Sequence, residues 1–445
     1  MKDNNKKFEE LTTGKIEPVI IKMAIPTIIS MLVTAFYNMA DTYFVSKIDD
    51  VSATAAVGVV FSMMALIQSV GFFFGQGSGN YISRALGKKD YSEAESMAAT
   101  GFFYSFFIGI IIMVSGLIFV KPLALFLGSS ETILPYATAY LRYILLGSPF
   151  IISSFVINNQ LRFQGNAVYA MAGLVSGGIL NIILDPIFIF TLNLGTAGAA
   201  IATSVSQLFS FVILLIGTTK GNNLRIRISK FSFKFSYLSE ICRCGLPSLC
   251  RQGIASVASI IQNNVAVDFG DYVVASFSIV ARIAMFINSA VIGFGQGFQP
   301  FCGFNYGAKL FARVKKAFLF CVKVTTVFLF VVAIIAFIFS PQLISLFRKD
   351  PEVIDFGTKL LRFQCISIPF FGIICMGNMM MQNLGMVGKA TFLATARQGL
   401  FFIPFVIVLP LLFGETGLQV TQCSADLFTA FCAIPLSLSV VKRLK

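Results

Sequence analysis

Long apolar stretches recur along the whole chain, separated by short clusters of charged and turn-forming residues. A helix needs about 20 apolar residues to cross the hydrocarbon core of a bilayer. Twelve stretches reach that length, six on each side of a basic segment from Lys220 to Lys234. They predict membrane-spanning helices at about 17–45, 53–82, 95–120, 133–160, 167–192, 197–217, 240–267, 273–303, 313–340, 354–382, 389–413 and 417–441. We therefore expect an all-α polytopic membrane protein.

The second group of six stretches repeats the first at one constant shift along the chain. Gly75-Gln76-Gly77 recurs as Gly295-Gln296-Gly297, and Leu141-Arg142-Tyr143 recurs in the same register as Leu361-Arg362-Phe363. Matched glycines and arginines rarely coincide by chance, so the pattern predicts an internal duplication. An even number of helices per unit gives both units the same orientation, with two parallel six-helix repeats facing a central cleft. The Gly-Gln-Gly motifs are expected to let helices approach closely.

The distribution of Lys and Arg predicts the orientation in the membrane. With the N-terminus placed in the cytoplasm, cytoplasmic segments hold 23 Lys and Arg and external loops hold 5, as the positive-inside rule requires. Both termini are then cytoplasmic, and the first 15 residues lack the apolar core of a signal peptide. The predicted units are an N-terminal segment 1–16, a first lobe 17–217, a basic linker 218–239, a second lobe 240–441 and a tail 442–445.

Composition narrows the class of function. With 56% hydrophobic and 12% charged residues, the chain is not a soluble globule. It has no histidine, which excludes His-based metal sites and Ser/His/Asp triads, and no P-loop pattern is present. Its nine cysteines lack the spacing of zinc or redox pairs and are interpreted as structural thiols. We therefore expect that the protein is not an enzyme and uses no cofactor. We interpret the net charge of +14 as a consequence of membrane topology and of contact with anionic lipid headgroups, not of nucleic-acid binding.

Four polar side chains are predicted to share one layer of the first lobe. Asp41 and Asp185 each lie about 7 to 11 Å from the external end of their span, at about 1.5 Å per residue. Asn181 is one turn before Asp185, and Thr203 reaches a similar depth on the next span. Ionisable residues within spans are costly and mark functional sites. Two carboxylates, an amide and a hydroxyl can hold a proton or a small cation such as Na⁺.

Two alternative interpretations of the carboxylates stay open at the level of sequence. Asp41 could reach the external interface instead of the interior. Asp185 could cap a broken helix that restarts at Pro186, or else Pro186 could bend a continuous helix. The second lobe has the amides Gln262, Asn263 and Asn264 where the first lobe has Asp41, so we assign ion coupling to the first lobe.

Candidate substrate-binding residues lie on several spans of both lobes. Methionines and aromatic residues could form an adaptable wall for varied apolar ligands, although core packing and lipid contact are the alternatives for any single methionine. The candidates are Tyr37, Asn38, Met63, Gln262, Asn263 and Met380.

The chain resembles the multidrug and toxic compound extrusion (MATE) family over essentially its whole length, and within it the DinF-like and MepA-like branch. The resemblance rests on the six-plus-six repeat and on three motifs: Ile25-Pro26-Thr27, Asn38-Met39-Ala40-Asp41-Thr42-Tyr43-Phe44-Val45 and Asn181-Ile182-Ile183-Leu184-Asp185-Pro186. It implies a V-shaped two-lobe architecture and an antiporter, driven by H⁺ or Na⁺, that expels amphipathic and often cationic drugs. It also implies a coupling site formed by Asp41, Asn181, Asp185 and Thr203.

The resemblance leaves one alternative function, a flippase for lipid-linked precursors of the same broad superfamily. Such a protein needs cationic residues facing a pyrophosphate headgroup, and Arg251 and Arg282 of the second lobe keep this alternative open. In either case we expect a monomer in the cell membrane, in contact with lipids and small organic compounds.

Overall fold

The computed structural model describes residues 2–48 and 51–444, with only the backbone described at 2–6, 51, 53 and 54. Met1 of the predicted N-terminal segment and Lys445 of the predicted tail lie outside the described residues. The first half contains α1 (Lys2–Thr13), α2 (Ile16–Ser46), α3 (Val51–Gly87), α4 (Tyr91–Ile118), α5 (Val120–Phe126), α6 (Leu134–Phe163), α7 (Ala167–Pro186) and α8 (Gly195–Thr219). The second half contains α9 (Phe235–Val267), α10 (Asp271–Gly307), α11 (Phe311–Ile338), α12 (Ser340–Ser345), α13 (Pro351–Ser367), α14 (Phe371–Asn383), α15 (Val387–Thr395), α16 (Ile403–Phe413) and α17 (Glu415–Arg443). Within this part of the chain every regular element is helical.

The helix boundaries repeat at the shift found in the sequence, the one that carries Gly75 onto Gly295. At this shift α10 begins and ends at the positions equivalent to the two ends of α3, and α11 does the same for α4. The left-handed backbone of Lys89 (φ 62°) recurs at Lys309 (φ 59°). Lysine rarely adopts this conformation, so its recurrence after the same helix confirms the predicted duplication.

Eleven of the described helical segments are long and apolar enough to cross a membrane. The remaining predicted span, the seventh, is α9, which has 33 residues and is less apolar because it carries Glu240, Arg243 and Arg251. Two predicted spans are interrupted. The tenth consists of α13 and α14 joined by a 3₁₀ turn, and the eleventh consists of α15 and α16 joined by a π-helical segment, Ala396–Phe402.

The two six-helix lobes meet through glycines in the half of the molecule that contains the chain start. A Cβ on Gly77 of α3 would overlap the carbonyl of Ile241 on α9, and one on Gly297 of α10 would overlap the backbone of Ala24 on α2. Thr27 adds a hydrogen bond to the carbonyl of Gly293 at 2.6 Å. The expectation that the Gly-Gln-Gly motifs permit close helix contact is thus confirmed.

A buried polar network joins the lobes beside these glycines. Gln299 Nε2 donates to Gln76 Oε1 at 3.1 Å. Arg162 Nη1 donates to Gln296 Oε1 and Nη2 donates to Asn159 Oδ1, each at 2.6 Å. Since Arg162 is fully buried, this end of the interface is closed in this conformation.

Helix α1, which the sequence pattern did not predict, lies across both lobes at the same end. Its residue Glu10 forms an ion pair with Lys22 of α2 at 2.5 Å. On the other lobe, Asn305 donates to the carbonyl of Leu11 at 3.0 Å, and Arg313 donates to the carbonyl of Gly14 at 2.6 Å. Arg313 thereby binds a carbonyl just beyond the C-terminal turn of α1, where cations are favourable.

The nine cysteines are free, and six of them are buried. Cys302 and Cys321, for example, are fully enclosed in a cluster of apolar side chains. This environment agrees with their interpretation as structural thiols.

Candidate functional site

Three of the four predicted coupling residues are buried together in the first lobe. Asn181 Nδ2 donates to Asp185 Oδ1 at 3.1 Å and lies 3.5 Å from Thr203 Oγ1. Asp185 is completely buried, and Asn181 and Thr203 are 3% and 5% exposed. The helices α7 and α8 pack side by side, so the one-turn spacing of Asn181 and Asp185 brings both onto the face that meets Thr203.

Asp41 of α2 completes the group. It interacts electrostatically with Asp185, which places the two carboxylates near each other. One of its oxygens is buried without a hydrogen-bond partner among the described residues. This position, partly buried beside Asp185, favours an interior role for Asp41 over one at the external interface.

The helix that carries Asp185 does not restart at Pro186. α7 continues through Pro186 directly into a π-helical segment, Ile187–Thr191, and no side chain caps that segment. The interpretation of Asp185 as an N-cap is wrong, because its carboxylate accepts from Asn181 within the same helix. The proline removes one backbone donor, and the wider π turn follows it.

Tyr140 of α6 belongs to the same group and was missed at the level of sequence. Its side chain is completely buried, it is within hydrogen-bonding reach of Thr203, and it interacts electrostatically with Asp41 and Asp185. Its hydroxyl also lies 3.8 Å from the sulfur of Met64. Its depth, six residues after the start of α6 at Leu134, is within one helical turn of that of Thr203 on α8, which starts at Gly195, and was the available signal.

Three oxygen atoms in this group lack a hydrogen-bond partner among the described residues: Asp41 Oδ1, Asn181 Oδ1 and Asp185 Oδ2. Buried polar atoms are rarely left unpaired, and exceptions point to an ion or a function. None of the ion pairs formed by described residues includes Asp41 or Asp185. The donor set of carboxylate, amide and hydroxyl oxygens suits a proton or a hard cation.

Comparison with known proteins decides the family. The family model described as MatE matches the chain twice, over residues 26–187 and 247–408. The chain belongs to the MatE family. The two matched ranges lie one in each lobe, in agreement with the two-repeat architecture.

Similar proteins extend over nearly the whole MatE chain. The multidrug export protein MepA of Staphylococcus haemolyticus (strain JCSC1435) is 29% identical, over 98% of this chain and 96% of its own length. MepA of Staphylococcus aureus (strain MSSA476) is 28% identical, over 96% of this chain and 95% of its own. A solved structure of a multidrug resistance MATE family transporter of the MOP superfamily, in an outward-facing conformation, is 27% identical with a TM-score of 0.92 and covers 98% of both chains. The chain is therefore a multi-pass membrane protein of a transporter family.

The predicted substrate-binding residues of this MatE chain fall into two groups. Asn263 is exposed, and Asn38 and Gln262 are partly exposed, all in the halves of α2 and α9 away from the closed interface. Met63 and Met380 instead lie inside apolar clusters. Met380 has no exposed surface, so packing is the interpretation that fits both methionines in this conformation.

Tyr37 lies beside the predicted coupling residues. It is buried, packs against Gly178 of α7, and interacts electrostatically with Asp41 one turn further along α2. Its position supports the α2–α7 contact that holds Asp41 near Asp185.

Proposed function

We propose that this MATE transporter is an antiporter that exports amphipathic, often cationic organic compounds while H⁺ or Na⁺ enters. The observation that carries the proposal is the group of two carboxylates and one amide in the first lobe, which together have three buried oxygens without a hydrogen-bond partner. The multidrug export function named for the relatives supports the substrate class.

The chemistry of coupling follows from the positions of the side chains. Two carboxylates repel each other in a low-dielectric interior, so a proton or small cation between Asp41 and Asp185 stabilises the pair. Asn181 offers its free amide oxygen and Thr203 its hydroxyl oxygen to the same ion. Because the group draws on α2, α7 and α8, its occupancy changes how these helices pack, which links the ion to the shape of the lobe.

The orientation of the molecule relates this group to transport. With the N-terminus in the cytoplasm, the closed interface of α2, α3, α9 and α10 is the cytoplasmic end, and the cleft opens outward. Alternating access then requires the buried bonds of Arg162 and Gln299 to break as the lobes part at that end. Drug release and ion entry occur in the conformation described here.

Exchange in proteoliposomes tests the proposal. Purified protein should move a fluorescent organic cation against an imposed pH or sodium gradient. Asp41→Asn and Asp185→Asn should each lose about tenfold or more of this exchange while the protein stays folded, because an amide keeps the volume but cannot cycle a proton or balance a cation.

Asp355→Asn is the matched control. Asp355 lies on α13 in an exposed ion pair with Lys359, and such pairs contribute only about 0 to 1 kcal/mol. Its exchange should equal that of the unmodified protein. Normal exchange by both Asp41→Asn and Asp185→Asn would refute the assignment of the coupling site.

One observation favours a second candidate, the flippase. Arg162 and Arg251 interact electrostatically, and neither hydrogen-bond partner of Arg162 is a carboxylate. Positive charge between the lobes would suit an anionic headgroup. Movement of a labelled lipid-linked sugar across the bilayer, with no exchange of organic cations under either gradient, would replace the antiporter with this function.

A further inference from the structure

The second lobe contains a buried ion pair within its membrane-spanning helices. Arg397 lies in the π-helical segment between α15 and α16, and Asp426 lies on α17. Arg397 Nε donates to Asp426 Oδ1 at 2.7 Å, and Nη2 donates to Oδ2 at 3.3 Å. The Asp426 side chain is 4% exposed, so the carboxylate is neutralised inside the lobe.

Neighbouring side chains complete the surroundings of this carboxylate. Gln422 Nε2 donates to Asp426 Oδ1 at 2.8 Å, and Ser367 Oγ donates to Oδ2 at 3.4 Å. The guanidinium of Arg397 stacks on the ring of Phe371 at 4.4 Å. Each oxygen of Asp426 thus accepts from two partners, in contrast to the unpartnered oxygens of the first lobe.

The internal repeat relates this cluster to the coupling group. At the shift that carries Gly75 onto Gly295, Arg397 corresponds to Gly177, one turn before Asn181 on α7. Asp426 corresponds to Ser206, one turn after Thr203 on α8. Ser367 is on α13, the counterpart of α6, which carries Tyr140 in the first lobe. Both lobes therefore hold a buried carboxylate between equivalent helices, and the second lobe holds its group about one turn closer to the cytoplasmic end.

The two clusters differ in what balances the charge. An unpaired carboxylate in a low-dielectric interior is strongly unfavourable and requires a counter-charge. In the second lobe, the side chain of Arg397 supplies this counter-charge. Among the described residues, no ion pair does so for Asp41 or Asp185.

We propose that the Asp426 cluster is a latent site for a small monovalent cation, H⁺ or Na⁺, which Arg397 occupies as a tethered cation. Because the second lobe fills its own site, coupling runs through the first lobe alone. This last consequence rests on the proposed antiport function, whereas the latent site does not.

Other groups near the cluster bear on the design of a test. Cys423 interacts with Ser367 and with Asp426. Cys375 interacts electrostatically with both Arg397 and Arg251, so Arg251 of α9 is a second cation close to the cluster. A variant in which Arg397 is replaced by an uncharged residue must therefore be compared with a double variant in which Arg251 is replaced as well.

The test measures cation binding to the purified full-length protein in nanodiscs. In a parent carrying Asp41→Asn and Asp185→Asn, we expect no saturable ²²Na⁺ binding and little effect of Na⁺ or pH on the unfolding temperature. Adding Arg397→Gln should produce one of two responses. If the site binds Na⁺, the protein should show saturable ²²Na⁺ binding of about one ion per chain at pH 8. If it binds H⁺, the unfolding temperature should rise at low pH in sodium-free choline buffer, since a ligand that binds only the folded state raises its stability. The two arms distinguish Na⁺ from H⁺.

Three further variants make the outcome decisive. Arg397→Gln with Asp426→Asn should lose the new response, and Arg397→Gln with Arg251→Gln should keep it. Arg397→Lys keeps a positive charge at the site and should stay unresponsive. If Arg397→Gln does not fold, Arg397→Ala takes its place in every comparison. A folded Arg397→Gln protein that responds to neither cation, or an equal response from Arg397→Lys, overturns the proposal. Because the assay measures binding, failure of the exchange experiment leaves this result interpretable.

Discussion

At the scale of single residues, removing the hydroxyl group of Tyr140 tests whether this side chain contributes to coupling or only to packing. Tyr140→Phe keeps the ring of a fully buried side chain and removes only the oxygen near Thr203 and the two carboxylates. We expect the cation-driven part of exchange to fall by about tenfold, the effect of about 1.4 kcal/mol, because the site loses one polar partner. Measurement of exchange at several ion gradients, with the unfolding temperature in parallel, checks this.

Tyr143→Phe is the matched control, since Tyr143 lies three residues later on the same helix and is exposed. It should leave both exchange and unfolding temperature unchanged. Equal effects of the two substitutions would show that Tyr140 acts only through packing.

Most of the polar group proposed for coupling could be predicted from the sequence because each of its members interrupts an apolar run. Asp41, Asn181 and Asp185 are conspicuous for this reason, and counting helix depth added Thr203. Tyr140 was missed because tyrosine is an ordinary residue in membrane spans and carries no charge. The pairing of Arg397 with Asp426 was invisible as well, since the two residues lie on different helices and nothing in the pattern fixes which faces meet.

At the scale of helices, Gly297→Ala tests the contact between α2 and α10. A Cβ at this position overlaps the backbone of Ala24, and backbone cannot move aside as a flexible side chain can. Overpacking of this kind costs about 1 to 3 kcal/mol. We expect a lower unfolding temperature and a longer distance between spin labels at Lys88 and Lys316, on the two lobes.

Gly253→Ala on α9 is the comparison, because nothing lies within 4 Å of a Cβ there. That substitution should be neutral or stabilise slightly, by up to about 1 kcal/mol, through the higher helix propensity of alanine. If the two alanine variants behave alike, the close approach of α2 and α10 does not limit stability.

The apolar pattern predicted the number and order of the spans well, because length and hydropathy alone determine whether a segment can cross a bilayer. The local backbone geometry was harder to predict from the sequence. Pro186 suggested a bend or a break, and the chain instead forms a π-helical turn after it. Helix α1 was overlooked because its polar sequence has no apolar run, and its order comes from contacts with residues far away in the second lobe.

At the scale of the whole molecule, the proposed orientation makes opposite ends of the lobes accessible from opposite sides. In a version lacking the nine native cysteines, single cysteines at Lys47 or Lys349 should react with an impermeant maleimide added outside intact cells. Cysteines at Lys88 or Lys316 should react only after the membrane is permeabilised. All four side chains are exposed, so differences in labelling report sidedness. If cysteines at Lys88 or Lys316 were labelled from outside to the same extent as those at Lys47 or Lys349, the proposed orientation would be wrong.

The position of α1 also has a consequence for biosynthesis. It is synthesised well before the second lobe, yet it docks on Asn305 and Arg313, which lie in the first half of the second lobe's sequence. At a synthesis rate of about 5 to 20 residues per second, its docking partners appear about 15 to 60 seconds later. During that interval α1 has only half of its binding surface, so a segment made before both lobes is among the last to reach its final place. Newly made chains therefore pass through a stage in which the first lobe can insert while α1, which contacts both lobes in the final structure, is still undocked.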